Sequence, residues 1–100
     1  MSEILVRLPG PLRALAGLGA EIRLPIAGTP TQRAVIDALE ATYPPLRGTL
    51  RDALKDRRRP KIRFYACERD LSHADPDDPL PDAVISGREP YVILGAISGG

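Results

Sequence analysis

The stretch "GTPTQRAVIDALEATYPP" holds the densest set of start and stop signals in this chain. Thr29 is placed to cap a helix, Pro30 to take its first position, and Gln32, three residues after the cap, to complete a capping box. Val35, Ile36, Leu39 and Tyr43 share one helical stripe roughly 100° wide, and Arg33, Asp37 and Glu40 fall outside it. Pro44 and Pro45 end the run, because a proline in the next turn removes a donor and clashes with the ladder. A helix with one apolar face must bury that face, and a chain of 100 residues has room for a single core. The other elements must therefore build a surface for this stripe.

That surface reads as a sheet. Ile4, Val6 and Leu8 alternate with Glu3 and Arg7 until "PGP" stops them, and "EIRLPI" sets Ile22, Leu24 and Ile26 against Glu21 and Arg23. The two runs predict neighbouring antiparallel strands, with "LRALAGLG" between them as an irregular or single-turn connection. Leu46, Leu50 and Leu54 lie four apart and predict a short second helical piece, weakened by Gly48. "KIRFYACE" predicts a third strand, with Ile62, Phe64 and Ala66 on one face and Arg63, Tyr65 and Cys67 on the other. From Asp70 to Pro90, prolines and aspartates predict loop with at most a short edge strand. "YVIL", Tyr91 to Leu94, has no polar alternation and reads as a strand covered on both faces. Pairing it in parallel with the first strand makes a right-handed crossover through the long helix natural. The expected fold class is α+β: a β-grasp, with a mixed sheet of four to five strands curled over one main helix plus a short second helix. The domain spans 1–96, and 97–100 form a flexible diglycine tail.

Composition narrows the function. Fourteen Lys+Arg against thirteen Asp+Glu leave a formal +1, so no global field argues for nucleic acid or an anionic membrane. Hydrophobic residues at 43% and charged residues at 27% are those of a folded globular chain. Cys67 is the only cysteine, which excludes an intrachain disulfide and fits a reducing, cytoplasmic setting. No apolar run approaches the ~20 residues of a membrane span, and Met-Ser-Glu does not begin a secretory leader.

Local charge is uneven. Residues 51–63 carry seven basic side chains, among them Arg57, Arg58 and Arg59, against two acidic ones, a net +5. Residues 68–82 carry −5, and the two segments are expected to face each other across the sheet edge. Without interleaved aromatics before Phe64, the basic segment reads as a solvated loop or a docking patch for an acidic partner rather than a nucleic-acid site. Asp75, Asp77 and Asp78 lack the spacing of a calcium loop, so no metal site is expected. Cys67 and His73 lack a third, orienting group, which makes a packed thiol the better reading than a nucleophile. Tyr91 and Leu94 are candidate partner contacts if one sheet face is open, and core residues if it is not.

Two segments, "VILGAISGG" and "VIDALEATYPPLR", resemble the ubiquitin-like sulfur carriers: the small subunit of molybdopterin synthase, the thiamine-pathway carrier and the carrier of a cysteine-synthesis route. The resemblance follows element order over nearly the whole chain, and the long middle segment looks most like the cysteine-pathway type. Many members have proline where this chain has Gly95. The likeness implies that the carboxyl of Gly100 is the reactive group, with Gly99 as its unhindered neighbour and Ile97 and Ser98 threading behind. It implies a co-substrate rather than an enzyme, or the small subunit of a sulfurtransferase complex. The chain itself would hold no cofactor: ATP and magnesium belong to a ubiquitin-activating-type adenylyltransferase. A sulfur donor protein and a sulfur-accepting synthase complete the partners.

A carboxylate repels nucleophiles and has no leaving group, so it must be activated, and glycines leave the acyl carbon open to attack. A frayed terminus would account for the glycines alone; their coincidence with an apolar last strand and a capped helix favours the carrier. Two other readings stay open: a ubiquitin-like modifier joined to lysines through Gly100, and a non-covalent binding module using the charged middle segment.

Overall fold

A computed structural model describes residues 2–51 and 58–95. Strand β1 (Ser2–Arg7) pairs antiparallel with β2 (Glu21–Ile26), with Ile4 opposite Leu24 and Val6 opposite Ile22. Alternation puts Ile4, Val6, Leu24 and Ile26 inside the core, while Leu5, Arg7 and Arg23 take the opposite face. Arg7 reaches Glu21 at 2.9 Å and Arg23 reaches Glu3 at 3.2 Å on that face, exposed pairs that add ~1 kcal/mol or less each.

The connection between these strands is more regular than the sequence reading allows. Helix α1 (Gly10–Ala16) occupies it, with proline in its first turn and Gly17 as a left-handed cap at φ 69°. The prolines and glycines that read as breakers are in fact its start and stop, and two turns suffice because Leu12 is fully buried against the core.

Helix α2 (Gln32–Thr42) is the main helix, and its cap is Thr31 rather than Thr29. Thr31 Oγ1 accepts from the Ala34 amide at 3.0 Å. Both threonines have capping chemistry; tertiary contacts select between them. The Pro30 carbonyl accepts from Leu80 N at 2.9 Å and Thr31 forms a β-bridge with Pro79, so residues 30 and 31 are held extended. The two-residue shift dissolves the expected capping box, and Gln32 turns into the core instead. Val35, Ile36 and Leu39 are buried as the stripe demands, with Tyr43 packed against them.

After α2 the chain makes a 3-10 turn over Pro44–Leu46, followed by a turn with Gly48 at φ 83°. The expected second helical piece is therefore broken before Leu50, although Leu46 and Leu50 are both fully buried. Leu54 lies outside the described residues.

Strand β3 (Ile62–Ala66) follows, and Cys67 and Glu68 turn it back into the short edge strand β4 (Arg69–Asp70). The 71–90 region also contains a helical turn, α3 (Asp82–Ile85), that the proline-rich sequence does not announce; Val84 anchors it in the core. Strand β5 (Tyr91–Gly95) closes the sheet in the order β2-β1-β5-β3-β4, parallel to β1 and antiparallel to β3. It is central, as its composition predicts. It is not covered on both faces: Tyr91 and Ile93 are buried, Val92 is half-buried and Leu94 is 46% exposed. The core lies on one side of the sheet, so the outward positions of even the middle strand stay open. Among the described residues no helix is long and apolar enough to cross a membrane.

Candidate functional site at the end of the central strand

The candidate site is where β5 hands the chain on toward Gly99 and Gly100. Its upstream end is tied to three other parts of the fold. The Tyr91 ring is fully buried and stacks on Phe64 of β3, with centroids 5.8 Å apart and planes 27° from parallel. Its hydroxyl donates to Gln32 Oε1 at 2.5 Å, and Gln32 Nε2 donates to the Leu71 carbonyl at 3.0 Å. This relay joins β5, the first turn of α2 and the segment after β4. Burial pushes the Tyr91 phenol well above its ordinary pKa, so it stays a donor across the physiological range.

The downstream end is held without a side chain. Gly95 sits opposite Ile62 with φ at 149°, a region closed to side-chain-bearing residues. A Cβ there would lie 2.9 Å from Ile62 Cδ1 and 3.1 Å from Ile62 Cα, and closer still to the Lys61 carbonyl oxygen. Leu94, one residue earlier, projects outward opposite Arg63. The strand therefore delivers its end between a bare backbone contact and one exposed leucine.

The side chains singled out from the sequence separate under the fold. Tyr91 belongs to the core, so it is not available as a partner contact; its place on the inward side of a one-sided sheet decides that. Leu94 is open. Arg58 is half-buried, its Nε donating to the Ser72 carbonyl at 3.2 Å and its Nη1 to the Ile62 carbonyl at 2.7 Å. Arg59 is exposed, with Nε bonded to the Gly48 carbonyl at 2.9 Å. Arg57, Ile97, Ser98, Gly99 and Gly100 lie outside the described residues.

The basic and acidic segments touch directly, with Arg58 on the Ser72 carbonyl, and each also sends an ion pair to α2. Arg51 turns to α2, pairing with Asp37 at 2.5 Å and Glu40 at 2.9 Å. Partial burial works against its charge, but the two carboxylates outweigh that and hold the guanidinium more firmly protonated. Asp77 of the acidic segment pairs with Arg33, also on α2, at 2.6 Å. Helix α2 thus takes an ion pair from each segment. His73 lies 3.4 Å from Arg63 and Cys67 sits in the β3–β4 turn. Among the described residues no three His, Cys, Asp or Glu side chains converge as a metal site would require.

What the sequence reading missed is the Gln32–Tyr91 pair. Gln32 was visible as a helix-start residue, but nothing in the local pattern distinguishes an amide that caps a helix from one that crosses the core.

No family model and no curated protein matches the chain in sequence. Solved structures do match it in shape. The crystal structure of small archaeal modifier protein 1 from Haloferax volcanii superposes with a TM-score of 0.73 at 18% identity, covering 98% of this chain and 99% of that one. A chain of the Amycolatopsis orientalis BexX/CysO complex gives 0.69 at 21% identity, over 96% of this chain and 98% of its own. The solution structure of small archaeal modifier protein 1 from Methanosarcina acetivorans gives 0.67 at 21% identity, over 100% and 98%. Identities this low speak to fold, and end-to-end coverage leaves no large element unmatched on either side. The five-stranded mixed sheet, the parallel β1–β5 pair and the helix packed against it make this chain a β-grasp protein with the ubiquitin-like fold.

Proposed function

We propose that this chain is a sulfur carrier whose C-terminal carboxyl, after Gly99 and Gly100, is the reacting group. The reading rests on one coincidence: the central strand of a β-grasp sheet ends at Gly95, and the sequence continues from there as Ala-Ile-Ser-Gly-Gly. A partner adenylyltransferase with ATP and magnesium would join the carboxylate to AMP, releasing pyrophosphate. Hydrosulfide or its equivalent then attacks the acyl carbon and expels AMP, leaving a terminal thiocarboxylate. That group is ionised at neutral pH and soft, so it can attack a second substrate held by a synthase. Gly99 and Gly100 suit both steps because they put no Cβ near the carbonyl. Leu94 provides an apolar contact beside the exit for whichever partner receives the tail. The residues that follow Gly95 would act as the reactive arm and the rest of the chain as the rigid body that presents it.

Intact mass tests this. With ATP, an adenylyltransferase proven on another carrier, and a sulfide source, the protein gains the mass difference of sulfur for oxygen, and deletion of Gly100 prevents it. An unchanged mass beside a thiocarboxylated control carrier overturns the reading.

A second reading is favoured by the similarity to two proteins named as archaeal modifiers. The same activated carboxyl would acylate lysine amines of other proteins and form isopeptides. Such conjugates survive boiling with thiol reductants and appear as a ladder after affinity capture, whereas a carrier released as thiocarboxylate leaves none.

A further inference from the structure

A cleft of about 360 Å³ opens where the first turn of α2, the approach to β3 and the segment after β4 meet. Ile36, Phe64 and Ala74 give it an apolar lining, and Gln32, Arg58 and Ser72 a polar one. The volume falls within the range of small-molecule sites, and so does the mixture of an apolar wall with a few polar groups.

Two of those polar groups are prepared for a ligand. Gln32 is only 4% exposed, with its Oε1 taken by Tyr91 and one Nε2 proton taken by Leu71, so one buried amide proton remains unspent among the described residues. Arg58 is clamped through Nε to the Ser72 carbonyl and through Nη1 to the carbonyls of Arg59, Pro60 and Ile62. Its Nη2 has no partner among the described residues, and every bond it makes is to a neutral carbonyl. The two other arginines on the lining differ, since Arg33 faces Asp77 and Arg51 faces Asp37 and Glu40. A guanidinium already fixed by the main chain gives up little further freedom when an anion arrives, and its remaining Nη2 can give one carboxylate oxygen a charge-assisted hydrogen bond.

We propose that this cleft binds a small organic carboxylate, its apolar body against Ile36 and Phe64 and its oxygens hydrogen-bonded by Arg58 Nη2 and the spare Gln32 proton. An inorganic anion would leave the apolar wall uncovered, and a neutral isostere would leave the charge of Arg58 unmatched. The proposal does not rest on the carrier reading, because none of these residues belongs to the tail. Gln32 also holds the Tyr91 hydroxyl, so the cleft adjoins the root of the central strand.

The test is a nitrogen–proton correlation NMR titration of the full chain with phenylacetate, beside phenylacetamide and inorganic phosphate. Phenylacetate is expected to give saturable shifts at the Gln32 side-chain amide, Arg58 Nε–H and Ser72, with millimolar affinity suited to so small a ligand. Phenylacetamide is expected to bind about tenfold more weakly or worse, as is phenylacetate to Arg58→Gln, since each loses a charge-assisted hydrogen bond. Arg58 also braces the fold, so a second variant guards the result: Ala74→Phe, at an exposed position, fills the cleft with Arg58 intact and is expected to abolish binding. Absence of saturable shifts, equal binding of the amide, equal effects from phosphate, or undiminished binding by Ala74→Phe would each overturn the proposal.

Discussion

The two ends of the central strand are held by opposite means. At Tyr91 a large side chain does the holding, with a ring stacked on Phe64 and a hydroxyl bonded to Gln32. At Gly95 it is the lack of a side chain that lets the strand approach Lys61 and Ile62. An end held by side-chain contacts loses stability in steps as atoms are removed. One held by close backbone approach tolerates no added atom, because the neighbour in the way is itself main chain. The root of the strand is thereby anchored by side chains, and its Gly95 end is set by the neighbouring main chain.

The sharpest way to break this contrast is Gly95→Ala, which adds one methyl group. The forbidden φ and the contact with the Lys61 carbonyl together are expected to cost about 2–4 kcal/mol locally. Hydrogen exchange would read this as lost protection at the Ile62–Gly95 end of the β3–β5 pair, with the Tyr91 end retained. Equal protection at both ends would show that the close approach is not what holds Gly95.

At the other end, Tyr91→Phe keeps the stack and removes only the hydroxyl, leaving Gln32 Oε1 buried without its donor. A loss of about 1–2 kcal/mol in urea denaturation is expected. The pH dependence follows from the same burial. The folded pKa of Tyr91 is raised above the unfolded value of roughly 10, so its contribution is complete below that pH and is lost as pH climbs toward the folded value. Native protein is therefore expected to lose stability more steeply above pH ~10 than Tyr91→Phe does.

Gln32 reaches Tyr91 only because α2 starts one residue after Thr31. Thr31→Ala is expected to cost about 1 kcal/mol and Thr29→Ala close to nothing, by thermal or chemical denaturation. The reverse order would return the cap to Thr29 and undo the placement of Gln32.

The smallest expected effect is a gain. Cys67 and Glu68 both take left-handed angles, φ 52° and 63°, in a two-residue hairpin where Asn-Gly would be relaxed. Glu68→Gly is expected to stabilise by about 0.5–1 kcal/mol. Because Cys67 and Glu68 share no hydrogen bond with Tyr91 or Gln32 among the described residues, the effect should add to that of Tyr91→Phe.

Much of this architecture was legible because strand and helix periods are local. The alternation of Ile4 and Val6 against Leu5 and Arg7, or of Ile62 and Phe64 against Arg63 and Tyr65, sets the inward face of a strand before any partner is known. The errors share one cause. At Thr29 and Thr31 two caps were chemically equivalent; in α1, proline and glycine marked the ends of a helix as well as they mark a loop; in Tyr91–Leu94, an unbroken apolar run concealed the fact that one face stays open. In each case the local sequence allowed two answers and a distant contact chose one.

By itself, then, the order of residues determined which stretches could be strands and helices, which faces they would bury, and that the last strand would be apolar enough to sit in the middle of the sheet. Only the tertiary structure decided that Gln32 would meet Tyr91 across the core, that Arg58 would be clamped by the main chain beside a cleft, and that Gly95 would have no room for a methyl group. Periodicity is carried by neighbours in the chain, whereas these three facts are distances between residues far apart in it, and they exist only once the core has closed.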